Sequence, residues 1–105
     1  MERQWNMSTS IKKATAISRE VKLKVYKRDK GRCIICGAPG LPEAHYIRRS
    51  QLGRGIEQNI ITLCRECHRE FDEGKKHNEY KEKIQTYLDL LYPDFSDYDR
   101  IYHKW

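Results

Sequence analysis

The sequence predicts a small α+β domain stapled by a bound metal ion, on three observations. Cysteines come in two Cys-x-x-Cys pairs, Cys33/Cys36 and Cys64/Cys67. Short β-prone runs lie between the pairs, and segments with helical periodicity flank them. The composition is lean, with 38% hydrophobic and 34% charged residues in a chain of 105. Small domains bury a modest share of their surface, so a core this thin calls for a covalent or metal staple.

Taken in order, residues 1–17 read as a weakly structured polar arm, with Ser8-Thr9-Ser10 and Lys12-Lys13 in it and Trp5 and Ile11 as candidates for docking. Residues 18–105 read as one folded domain. Residues 18–30 predict a helix: Ser18 is a fitting N-cap, Glu20 sits in the first turn where a carboxylate favours the dipole, and Val21, Val25 and Tyr26 share a stripe. Lys27, Arg28 and Lys30 load its last turn, as dipole complements or as contacts to a polyanion, and Gly31 follows as the C′ residue. Residues 43–48 predict a strand, and Ile60-Ile61-Thr62-Leu63 a second strand returning antiparallel to it. A short helix is expected from His68 to Glu73, stopped by Gly74. A last helix over residues 78–91, capped by Asn78, carries Tyr80, Ile84, Tyr87, Leu88 and Leu91 on one side as core packing, and Pro93 bars its continuation. The tail from Asp94 to Trp105 is aromatic and is expected to fold back or to contact a partner.

Lysine and arginine number 21 against 15 acidic residues, a formal charge of +6. Four thiolates on one Zn²⁺ would reduce this to roughly +4. The excess fits a polyanionic partner such as nucleic acid, and equally a solvated basic surface. No run is long and apolar enough to span a bilayer, and residues 1–16 lack the apolar stretch of a secretory signal. The expectation is therefore an intracellular, cytoplasmic protein without a membrane partner. In a reducing compartment, paired cysteines serve as metal ligands more often than as disulfides.

Zn²⁺ takes four soft ligands in a tetrahedron, and each Cys-x-x-Cys turn sets two sulfurs on one side of the ion. Cys33, Cys36, Cys64 and Cys67 would then fill every position, leaving none for an activated water, so the zinc is expected to be structural. Two disulfides, or a redox-active Cys-x-x-Cys, are the alternatives. The absent signal argues against the first, and the second cysteine pair against the other.

Three further residues lie between and beside the knuckles: His45, Asn59 and His68. The ordered set Cys33-x-x-Cys36, Ala44-His45-Tyr46-Ile47, Glu57-Gln58-Asn59-Ile60, Leu63-Cys64 and Cys67-His68 resembles the HNH endonucleases in their cysteine-bearing form. The resemblance runs from about Arg28 to Gly74, which marks the expected core of the domain. It implies a treble-clef-like ββα-metal unit, a hairpin followed by a helix with a catalytic divalent ion between them. It implies a DNA substrate, and small stand-alone proteins of this kind occur in phage and mobile-element settings.

Hydrolysing a phosphodiester needs an activated water and relief of charge on the phosphate and leaving oxygen. His45 on the first strand can take the water's proton, because imidazole titrates near working pH. The side-chain carbonyl of Asn59 can hold that imidazole in the right tautomer, the part played by the resembling residue of the family. His68 on the following helix can hold a catalytic Mg²⁺ or Mn²⁺. Helical neighbours point about 100° apart, so Cys67 can face the zinc while His68 faces the hairpin. One departure stands out. Many HNH chains carry a metal-binding His or Asp before the strand histidine, and here that residue is Ala44. Either His45 remains the base, with Glu43 or Asp72 completing the ion's ligands, or the register shifts so that His45 becomes a ligand and Tyr46 stands at the base position. Glu43 shares the strand face of His45, Asp72 lies one turn past His68, and a tyrosine with pKa near 10 is a poor base, so the first arrangement is preferred.

Arg48, Arg49 and Arg54 surround the hairpin loop and fit phosphate oxygens. Arg65, inside the second knuckle, is a weaker candidate. His77 reads as structural or solvent-facing, and His103 receives no role. The main rival is a non-catalytic, zinc-stabilised nucleic-acid-binding module of the same fold. With one copy of the site, cutting both strands would take two molecules or two visits.

Overall fold

A computed structural model describes residues 9–103; the docking candidate Trp5 and the aromatic tail's Trp105 lie outside them. The element order is α1 (Thr9–Thr15), α2 (Arg19–Arg28), β1 (Leu41–His45), a 3-10 turn (Arg49–Gln51), β2 (Ile60–Leu63), α3 (Arg65–Glu73) and α4 (His77–Leu91). The α+β class is as expected. β1, β2 and α3 follow one another as a ββα unit, with α2 and α4 packed around it.

β1 and β2 pair antiparallel, with Ala44 opposite Ile61 and His45 opposite Ile60; a bulge near Glu43 shifts the register by one toward Leu41 and Leu63. Alternation is kept despite the bulge. Pro42 and Ala44 point inward, while Leu41 and Glu43 face solvent and His45 is half-buried on the same face. β2 is buried at all four positions, as a strand covered on both sides should be.

The strand expected over 43–48 lies instead at Leu41–His45. It stops where Asn59 takes over the pairing: Tyr46 N–H donates to the Asn59 carbonyl, and Ile47 N–H to the Asn59 side-chain oxygen. α2 begins as expected, with the Ser18 hydroxyl accepting from Val21 N–H. Val25 on it is fully buried, whereas Tyr26, placed on the same stripe by spacing, is 48% exposed. Its ring reaches to 2.7 Å from where a Cβ on Gly31 would stand, and Gly31 has φ +67°, a conformation that favours glycine.

α3 starts earlier than expected, at Arg65 rather than His68, because Cys64 is its N-cap: the sulfur accepts from Cys67 N–H. α4 begins at His77, and the Asn78 cap is not used. The His77 ring instead stacks on Phe71 and bonds the Phe71 carbonyl, which fixes the α3–α4 corner. Ile84 and Leu88 are buried as expected, with Tyr80 and Tyr87 half-buried beside them, while Leu91 is 42% exposed. The arm differs from expectation in being helical over Thr9–Thr15, and Thr15 is fully buried.

Two arginines hold the periphery. Arg28 grips Asp29 with both ends of its fork and donates to the carbonyls of Glu57 and Ile60 and to the Tyr92 hydroxyl. Asp29 also accepts from Thr62 N–H and from the Tyr87 hydroxyl. Of the three cations at the end of α2, Arg28 is thus spent on the fold. Arg100, which sequence reasoning gave no role, is 1% exposed. Its Nε donates to the Gln58 carbonyl at 2.7 Å and its Nη1 to Asp97 at 2.7 Å, and it lies over the rings of Tyr46 and Phe95. These contacts fold the tail back onto the hairpin loop, where Ile101 bridges Gly53. Replacing Arg100 by Ala leaves the Gln58 carbonyl unpaired under the tail. The expected loss is about 2–3 kcal/mol, read as a lower urea midpoint.

Candidate functional site

The four cysteine sulfurs lie within 4.8 Å of one another. Each pair is set by local backbone. In the first knuckle Cys33 N–H bonds the Ala38 carbonyl and Gly37 N–H the Cys33 carbonyl, a turn that needs Gly37 at φ +81°. In the second, Cys64 follows β2 and caps α3, so Cys67 stands on the helix's first turn. A zinc tetrahedron with arms of about 2.3 Å has edges of about 3.8 Å. The Cys36 and Cys64 sulfurs are 3.6 Å apart, close to such an edge, and all four cysteines are free thiols.

Burial raises the proton affinity of the Cys33 thiol, but backbone N–H groups of Cys64, Cys36 and Ile35 aimed at the sulfur outweigh it and bring its pKa down to about 7. Such N–H groups stabilise thiolate, the form that binds metal. Cys67 shifts upward through burial and through the neighbouring thiols. Crowded sulfurs hold protons in this way when no cation neutralises them. Donor type, spacing and backbone support fit Zn²⁺ with all four positions filled.

A second group of side chains gathers in the concavity between hairpin and α3. Glu43, His45, Arg48, Arg49, His68 and Asp72 line it. Glu43 and His45 come from the outward face of β1, and His68 and Asp72 from successive turns of α3. Cys67 is 7% exposed in the core and His68 half-exposed toward the concavity, so these neighbours face different ways, as helical geometry predicts. His68 Nε2 lies 3.3 Å from Asp72 Oδ2. Glu43 sits on the same concavity and pairs with Lys22 at 3.6 Å.

The His45 ring nitrogen Nε2 is 2.8 Å from the backbone carbonyl of Thr15. A carbonyl can only accept, so Nε2 carries the proton and the neutral ring keeps its lone pair on Nδ1. Burial lowers the His45 pKa below its usual 6.5; the Thr15 carbonyl and Asp72 oppose this, while Arg49 and His68 add to it. The imidazole is thus held toward its neutral form.

Asn59 is fully buried, and its side chain serves the backbone. The oxygen accepts from Ile47 N–H, and the NH₂ donates to the carbonyls of Ile47 and Arg54. The partner of the His45 ring is Thr15, where the sequence had pointed to Asn59. Asn59 shapes the chain on either side of the hairpin loop, and its three bonds rank it among the main fixtures of that loop. Asn59→Ala would leave Ile47 N–H without its acceptor in a dry site. The expected cost is about 2–3 kcal/mol, measured by chemical denaturation.

Ala44 is 1% exposed in the core and offers no donor. Tyr46 is 3% exposed on the opposite face from His45, and burial pushes its phenol up to about 12. The three loop arginines are each partly engaged: Arg48 donates to the Asp72 carbonyl, Arg49 to the Thr15 hydroxyl and the Lys12 carbonyl, and Arg54 to the Asp99 carbonyl. A guanidinium has five N–H donors, so each keeps others for a ligand.

With this geometry in place, comparison with known proteins adds one match. The family model described as HNH endonuclease matches residues 33–79. The matched stretch holds both knuckles, His45, Asn59, His68 and the loop arginines, and it points to a nuclease-type or otherwise nucleic-acid-related function. No curated protein matches the chain. Among the described residues, no helix is long and apolar enough to cross a membrane.

Proposed function

We propose that the HNH-type segment makes this chain a metal-dependent DNA endonuclease. The reading rests most on one observation: His45 is fixed through Nε2 to a backbone carbonyl and lines the same concavity as His68 and Asp72. His45 Nδ1 takes the proton of the attacking water. The water oxygen bonds to phosphorus as the bond from phosphorus to the leaving sugar oxygen breaks. His68 and Asp72, whose ligand atoms lie 3.3 Å apart, would hold a divalent ion. A carboxylate suits Mg²⁺ and Mn²⁺ alike, and the imidazole beside it favours the transition-metal ion. When bound, the ion relieves charge on the phosphate and leaving oxygen. The buried phenol of Tyr46 supports His45, not Tyr46, as the base. Unspent donors on Arg48 and Arg49, which line the concavity, would grip the backbone beside the scissile bond, contacts that position DNA without reading its sequence; Arg54 lines a separate cleft beside the tail.

The test is conversion of supercoiled plasmid to nicked circles in Mg²⁺, in Mn²⁺ and in EDTA. Nicking that needs the metal is expected. His68→Ala is expected to raise the half-saturating Mn²⁺ concentration about tenfold or more, equivalent to losing about 1.4 kcal/mol of metal binding, with the zinc content unchanged. The buried Ala44 favours one second reading, a zinc-stabilised module that binds nucleic acid without cutting it. That reading would prevail if calorimetry finds no divalent ion bound beyond the zinc while DNA binding persists.

A further inference from the structure

We propose that the junction between α1 and α2, outside the stretch that matches the family model, is a positioning element of the catalytic site: Thr15 sets the tautomer of His45, and Gly55 and Arg49 hold Thr15 in place. The inference rests on the nuclease reading for its catalytic consequence, and on geometry alone for the tautomer.

Five hydrogen bonds carry it. The Thr15 carbonyl takes the His45 Nε2 proton at 2.8 Å. Arg49 Nε donates to the Thr15 hydroxyl at 3.0 Å, and its Nη2 reaches the Lys12 carbonyl at 3.3 Å. The Thr15 hydroxyl in turn donates to the Ile11 carbonyl at 2.7 Å, which ties the residue to its own helix. Gly55 N–H, in the hairpin loop, donates to the Ala14 carbonyl at 2.9 Å. The loop and the junction touch so closely that a Cβ on Gly55 would stand 2.0 Å from the Ala16 carbonyl oxygen. Thr15 itself is fully buried.

The chemistry explains why such a clamp matters. A free imidazole exchanges its proton between two nitrogens, and only one tautomer leaves Nδ1 able to accept. A fixed carbonyl selects that tautomer and the ring orientation together. Asn59, which the family resemblance cast in this part, is occupied by three bonds to backbone. The junction supplies the orienting acceptor instead, and Arg49 spends two of its donors on holding it.

The test displaces the junction without changing any residue of the site. Gly55→Ala puts a methyl against Ala16, and Thr15→Val removes the hydroxyl that Arg49 holds, while Thr15→Ser restores it. Nitrogen-15 NMR of the histidine rings reads the His45 tautomer, assigned with His45→Gln, and zinc content with far-UV circular dichroism checks the fold. In the natural sequence a single Nε2–H signature is expected for His45. In Gly55→Ala and Thr15→Val that signature should give way to mixed tautomers. Their kcat for plasmid nicking should fall on the order of 10²-fold with KM little changed, the scale expected for a misplaced catalytic group, and Thr15→Ser should recover both readouts. A folded, zinc-loaded Gly55→Ala or Thr15→Val protein that keeps the Nε2–H signature overturns the proposal. A protein that never nicks DNA sinks the nuclease reading, and the ring spectra then decide the junction's role alone.

Discussion

Stripping zinc from the four-cysteine cluster is expected to unfold this protein. A strong chelator at neutral pH should abolish the far-UV circular dichroism of α2, α3 and α4 together, and added Zn²⁺ should restore it. The size of the effect follows from comparing two energies. Domains of this length are stable by about 5–15 kcal/mol, and structural zinc sites contribute apparent binding energies of about 10–16 kcal/mol. The site therefore accounts for most of the margin. Cys33 and Cys67 belong to the same buried cluster as Ile61, Leu63, Phe71, Ile84 and Leu88, so releasing the ion also opens that core. Cys64→Ala should behave like chelation, because that residue follows β2, caps α3 and offers a sulfur at once. Native spectra persisting after complete removal of zinc would show that the apolar cluster suffices, and that the cysteines contribute little to folding.

His45→Ala is expected to lower the rate of plasmid nicking by about 10²–10⁴-fold, the range a positioned general base contributes. Stability should fall far less, since the ring is half-buried and is held by a hydrogen bond to the Thr15 carbonyl. The two readouts separate chemistry from folding: the zinc content and denaturation midpoint should stay near their starting values as cleavage disappears. His45→Gln is a useful companion, because its amide can still donate to Thr15 but offers no basic nitrogen. It should be as inactive as the alanine variant. Cleavage surviving both substitutions would move the base to another group in the concavity, with Glu43 next in line.

The cysteine site was legible in the sequence because its signal is local. Two Cys-x-x-Cys turns need only four residues each to set their sulfurs, and the structure brings all four within 4.8 Å. The hairpin and the face of Glu43 and His45 were legible for a similar reason, since strand alternation operates over single residues. The separation of Cys67 from His68 followed from helical pitch alone.

What stayed hidden depended on long-range contacts. Arg100 carries no periodic signal, and its burial rests on meeting Gln58 and Asp97 under the aromatic rings of Tyr46 and Phe95. The arm read as weakly structured because seven polar-rich residues make a poor isolated helix. Its order comes from contacts to Arg49, Gly55 and His45, thirty or more residues along the chain. The neighbour of His45 was misjudged for the same reason, since any backbone carbonyl can take an imidazole proton and none announces itself by residue type. The first turn of α3 was missed because cysteine is not a usual cap, and it serves here because its position is fixed by the metal-binding turn.

The loop between the strands has one more consequence. Connecting loops ordinarily vary freely and tolerate insertion. This one is seized from both sides: Gly55 N–H binds the Ala14 carbonyl, Arg54 N–H the Arg100 carbonyl, and Tyr102 N–H the Leu52 carbonyl. It behaves as a keystone between α1 and the segment after α4, so lengthening it would have to break both abutments. Attachments made beyond α1 or beyond Ile101 would act as levers on the concavity that holds His45 and His68, through a span that cannot itself stretch.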